Sequence, residues 1–153
     1  AFFFLLVLLS VLFWIAIFYS TKVEAPEAPS PSPIATTSES VVGVITRVST
    51  RLNFDVVPLF ALASVESSLG AQKHVVGDFG CSFGVFQINL CANSEAKGII
   101  GNLEKEIEWV IEKLINYGIK DNLELAIARY NSPARPNMTY AKIVLKEMAK
   151  HKE

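Results

Sequence analysis

Little in this chain offers a metal ion or a nucleic acid anything to hold. Among 153 residues there are 2 Cys and 2 His. His74 and His151 stand isolated, and neither a zinc-ligand cluster nor calcium-loop spacing occurs, so no metal and no cofactor is expected. Lys and Arg number 14 against 15 Asp and Glu, a net charge of -1. That balance lacks the basic surplus of a nucleic-acid binder, and no nucleic-acid partner is expected. Internal repeats are missing. Convincing period-2 alternation is missing too, so any sheet must be minor.

What the sequence does have is one long uncharged run. Residues 2–19 (FFFLLVLLSVLFWIAIFY) are apolar on every face and about long enough to cross a bilayer as a helix. No small-residue cleavage site follows before Ala25, so residues 1–22 are expected to be an uncleaved transmembrane anchor. Cleavage of that segment as a signal would leave the rest of the chain secreted. Residues 23–39 (VEAPEAPSPSPIATTSE) are dense in Pro, Ala, Ser and Thr. They cannot bury enough apolar surface to offset their ordering entropy and read as a flexible linker.

Residues 40–153 are enough for one hydrophobic core, and the patterning predicts a mainly α domain. Residues 41–52 carry apolar side chains at Val41, Val44, Ile45 and Val48. Asp55 is a candidate cap for a second helix, with Pro58 in its first turn, running to Glu66 and stopping near Gly70. A glycine-rich loop spans residues 77–84. Asn102 begins a helix with Leu103, Ile107, Val110, Ile111 and Leu114 on one face, ended by Gly118. Asn122 starts another, and a last helix follows Pro136.

The candidate chemistry begins at Glu66. It closes the apolar run of residues 58–65, and a carboxyl leaving such a run is a candidate for the raised pKa that makes a proton donor. Near a helix C-terminus it also faces an unfavourable dipole, so the position suits function better than stability. Gln87 carries an amide that donates and accepts, suited to the hydroxyl and amide groups of a sugar chain. Tyr130 falls at helical spacing with Ala126 and Ile127, which also fits core packing. Cys81 and Cys91 bracket the Gln87 element, either paired as a disulfide or as two buried thiols.

Taken together, Glu66-Ser67, Gly84-Val85-Phe86-Gln87-Ile88 and Ala126-Ile127-Ala128-Arg129-Tyr130-Asn131 resemble the motifs of the lysozyme-like lytic transglycosylases of bacterial cell walls. Asn102-Leu103 and Tyr140-Ala141-Lys142-Ile143-Val144 extend the resemblance from about Asp55 to Lys146. It departs after Asn131, where Ser132-Pro133 stands in place of a small residue followed by Gly. The resemblance implies a lysozyme-like helical domain outside the cytoplasm that acts on peptidoglycan. Glu66 would be the lone acid/base, and Ser67, Gln87, Tyr130, Asn131 and Tyr140 would be substrate-binding residues. The bond between N-acetylmuramic acid and N-acetylglucosamine would be cut without water, giving a 1,6-anhydro product. The loop that contains Asp78 also resembles that of goose-type lysozymes, so Asp78 is a possible second carboxylate for a hydrolytic muramidase. A non-catalytic glycan-binding or assembly module is the reading from another class.

Overall fold

The computed structural model describes residues 39–71 and 80–151. The expected membrane segment, residues 23–38 of the expected linker, and Asp78 lie outside the described residues. No helix among the described residues is long and apolar enough to cross a membrane.

Side-chain caps set where the helices begin. Ser40 Oγ accepts from the Gly43 amide (3.1 Å) and opens α1 (Val41–Arg51). Asp55 Oδ1 accepts from the Val57 amide (3.0 Å) and opens α2 (Val56–Ser67), with Pro58 in the first turn. Each of these bonds satisfies an amide that the helix itself leaves without an acceptor. Asn102, Asn122 and Asn137 do the same for α3 (Leu103–Asn116), α4 (Leu123–Asn131) and α5 (Met138–Ala149). Between α2 and α3 lie a two-stranded antiparallel pair, β1 (Ser82–Phe83) and β2 (Ile88–Asn89), and a 3₁₀ turn at Ser94–Gly98. In the pair Ser82 faces Asn89 and Phe83 faces Ile88. The described residues are therefore mainly helical, with a sheet as small as the missing alternation implied.

The five helices α1 to α5 close a ring in which each packs against two others. Helix α2 packs against α1 and α5, while α3 packs against α1 and α4, and α4 against α5. Leu59, Ala61, Leu62 and Ala63 of α2 are fully buried, as befits a helix apolar on several faces. Around them Ile45 and Val48 of α1, Ile107, Val110 and Leu114 of α3, Ile127 of α4 and Val144 of α5 close the core. Phe86, from the turn between the strands, is the largest fully buried side chain. The hairpin is thus plugged into the helical core instead of riding on its surface.

Candidate active site

The last turn of α2 delivers Glu66. Helix α2 stops one residue later because Ser68 and Leu69 take left-handed backbone angles (φ 52° and 55°), with Gly70 following at φ 86°. The Ser68 and Leu69 amides bond back to the Ser64 and Ala63 carbonyls (both 2.9 Å), which satisfies acceptors that the helix end would otherwise leave bare.

Glu66 lines a cleft of about 250 Å³ together with Gln87, Tyr130 and Asn131. Ser82, Asn89, Asn93 and Trp109 form more of its wall. The sequence led us to expect an apolar setting for the carboxyl, and the structure corrects that. The helix behind Glu66 is apolar, but the cleft in front is walled mainly by amides and hydroxyls.

Tyr140, on α5, meets the site at the carboxyl itself: its hydroxyl donates to Glu66 Oε1 at 2.5 Å across 74 residues of sequence. Tyr130, on α4, donates to the Phe86 carbonyl (2.8 Å). Burial pushes both tyrosine hydroxyls above their ordinary pKa of 10.0, and the Glu66 carboxylate adds to the rise. Both therefore remain protonated donors beside the acid. Asn131 is exposed at the cleft rim, its Oδ1 accepting from Asn137 Nδ2 (3.0 Å).

The hairpin presents Gln87. Its backbone lies at φ 47°, a region uncommon for a residue with a side chain. Gln87 Nε2 donates to the Gly84 carbonyl (3.1 Å), which ties the side chain back across the turn. Gly84 itself sits at φ 80°. Just outside the strands Cys81 and Cys91 form a disulfide, and the Leu90 amide donates to the Cys81 carbonyl (2.8 Å). The structure thus settles the alternative that the sequence left open.

Ser67 takes a different place from the one expected of it. Its side chain is fully buried and Oγ donates to the Val85 carbonyl at 2.6 Å while accepting from the Gly70 amide at 2.9 Å. A hydroxyl so enclosed supports the loop from behind and does not line the cleft.

Glu106, on α3, was missed. It is 2% exposed, and its carboxylate accepts from the Val85 amide (3.2 Å) and the Gly101 amide (2.9 Å). A signal was present in the sequence: Glu106 stands three residues after Leu103 and four before Val110, inside the apolar stripe of α3. A carboxylate at such a position has to find buried donors. Its partners include the loop that carries Gln87, so Glu106 is a support of the site.

Among the described residues no group of three or more His, Cys, Asp or Glu side chains is placed to hold a metal ion. Comparison with protein-family models gives no match, and no curated protein matches the chain.

Proposed function

We propose that residues 40–153 form a lysozyme-like domain that cuts peptidoglycan glycan strands as a lytic transglycosylase, anchored to a membrane by residues 1–22 and facing away from the cytoplasm. One observation carries this reading. Glu66, Gln87, Tyr130 and Asn131, drawn from three separated motifs, line one cleft, and Tyr140, from a fourth, bonds the Glu66 carboxyl.

Protonated Glu66 donates to the oxygen between N-acetylmuramic acid and N-acetylglucosamine, and the bond from that oxygen to the muramoyl C1 breaks. The acetamido oxygen of the same muramoyl residue stabilises the cation that develops at C1. Ionised Glu66 then takes the proton from the muramoyl 6-hydroxyl as that oxygen bonds to C1. Glu66 ends protonated again, and no water is consumed. Tyr140 holds Oε1 and so keeps the carboxyl aimed through both proton transfers. Gln87 supplies an amide to the substrate's acetamido and hydroxyl groups.

The test uses the full chain on a cell-wall suspension, with muropeptide products weighed by mass spectrometry. Products lighter by one water than the hydrolysis products are expected, and Glu66→Gln is expected to slow clearing by roughly 10²- to 10⁴-fold, the usual contribution of a general acid–base group. A reducing end would transfer the reading to a hydrolytic muramidase. Clearing unchanged in Glu66→Gln rejects the catalytic assignment.

A further inference from the structure

Trp109 lies on α3, lines the cleft that Glu66 lines, and is only partly buried. One side of Trp109 packs against the hydrophobic core, and a second set of contacts holds the ring at the cleft. The clamp is built from two neighbours. Lys113, one turn further along α3, places Nζ 4.8 Å from the centroid of the indole ring. The same ammonium bonds Glu95 Oε1 at 3.1 Å, from the 3₁₀ turn. The Glu95 carboxyl is held below its ordinary pKa by a backbone amide first and by Lys113 next. The indole is thus covered by a cation that is itself held by Glu95, while part of its surface stays at the cleft.

Amides stand beside it on the cleft wall. Asn93 Nδ2 donates to the Asn89 carbonyl (2.9 Å), which leaves Asn93 Oδ1 as an acceptor. An immobilised aromatic surface next to an amide acceptor suits a pyranose ring: its axial C–H groups pack on the π face, and its N–H or hydroxyl groups bond the amide. The cleft, about 250 Å³, is close to the lower end of the range of small-ligand sites, roughly 300–1,000 Å³. It is suited to a sugar ring held beside the acid.

We propose that Trp109 is the stacking platform of a saccharide subsite, taking the face of an N-acetylhexosamine ring adjacent to the bond presented to Glu66, with Glu95 and Lys113 as its positioning clamp. This proposal rests on the glycan-cleaving reading above. It adds a determinant of affinity that is separate from the acid.

The experiment separates the two. The chain contains 2 Trp, Trp14 and Trp109, so the full chain carrying Trp14→Phe and Glu66→Gln has one indole and no acid. Titration with an N-acetylglucosamine tetramer is expected to give a saturable blue shift and quench of its emission, and a glucose tetramer a weaker response. No response up to millimolar N-acetylglucosamine tetramer overturns the subsite whether or not the chain cuts peptidoglycan. In the chain with Glu66 intact, Trp109→Ala is expected to raise KM for clearing about tenfold with kcat nearly unchanged, and Trp109→Phe to recover part of the loss. Should Trp109→Ala fail to fold, Trp109→Phe with an intermediate KM carries the same information. A folded Trp109→Ala or Trp109→Phe with the parent's KM overturns the platform, while loss of clearing in Glu66→Gln still upholds the acid.

Discussion

Replacing Gly84 by alanine tests whether the loop that carries Gln87 is shaped by the buried carboxylate of Glu106. Two penalties apply at this position. The first is backbone strain: φ is +80°, and an L-residue in the left-handed region costs about 1–2 kcal/mol. The second is steric. The new Cβ would lie 2.5 Å from Glu106 Oε2, 2.8 Å from Cδ and 2.9 Å from Oε1. Those distances are too short for any real Cβ contact, so the carboxylate has to move. Its bonds to the Val85 and Gly101 amides are of the kind worth about 1.5–3 kcal/mol each. Losing one of them brings the total to about 2.5–5 kcal/mol, a large part of the ~5–15 kcal/mol by which domains are stable.

Gly118→Ala supplies the control. Its φ of +81° is nearly the same, yet its nearest neighbour would be Asp121 Oδ2 at 3.7 Å, an ordinary contact. Only the backbone penalty applies there, so urea unfolding should rank Gly84→Ala below Gly118→Ala by about 2 kcal/mol or more. The combination Gly84→Ala with Glu106→Ala should cost less than the sum of the two, because the second change removes what the first collides with. Equal losses for the two glycine variants, or strict additivity of the pair, would refute the account of the loop.

Cys81→Ser with Cys91→Ser opens a loop with a sequence separation of 10, and a loss of about 3 kcal/mol is expected in urea unfolding with the helical circular dichroism kept. At alkaline pH the buried tyrosines dominate. Tyr130 and Tyr140 have hydroxyls raised above 10.0, by burial first and then by Glu66. The unfolded chain therefore loses these protons near pH 10 while the folded chain keeps them. Their contribution is complete below that pH and falls above it by up to about 1.4 kcal/mol per pH unit for each tyrosine. Thermal melts from pH 8 to 11 should show the slope, and a Phe variant at either position should flatten it; an unchanged slope in both would contradict the burial. Tyr140→Phe removes the hydroxyl that bonds Glu66 Oε1 and, on the proposed reading, is expected to lower kcat about ten- to hundredfold with the helices intact, which clearing kinetics would read.

The helical frame was legible because its signals are local. Asp55, Asn102 and Asn122 each bond an amide in the turn that follows, and a cap needs no distant partner to be recognised. The apolar positions of α1 and α3 followed from spacing for the same reason. The supports of the site were far less legible, since each depends on a contact far along the chain. Ser67 reads as one more residue beside the acid until the Val85 carbonyl, 18 residues away, is brought to its hydroxyl. Glu106 falls in the apolar stripe of α3, but Glu104, Lys105 and Glu108 around it mask that signal as a solvated charge pattern. Its burial is decided by a glycine 22 residues earlier that leaves room for it. The polarity of the cleft was misjudged because the apolar run before Glu66 reports what lies behind the helix and says nothing of what faces its end.

These supports share one target. Ser67 holds the Val85 carbonyl, Glu106 the Val85 amide, and Tyr130 the Phe86 carbonyl. Three elements thus grip two consecutive residues of the hairpin turn, immediately before Gln87. A glutamine at φ 47° costs of order 1–3 kcal/mol of backbone strain, and it persists only where its surroundings over-determine it. The grip supplies that constraint. Because Ser67 is the chain neighbour of Glu66, the same bonds that hold Gln87 in its strained position also fix its distance from the acid. Tyr140 then fixes the carboxyl's orientation from α5. On the proposed reading, this is what proton transfer to a positioned oxygen demands: a carboxyl and an amide whose spacing is set by buried hydrogen bonds before a substrate binds.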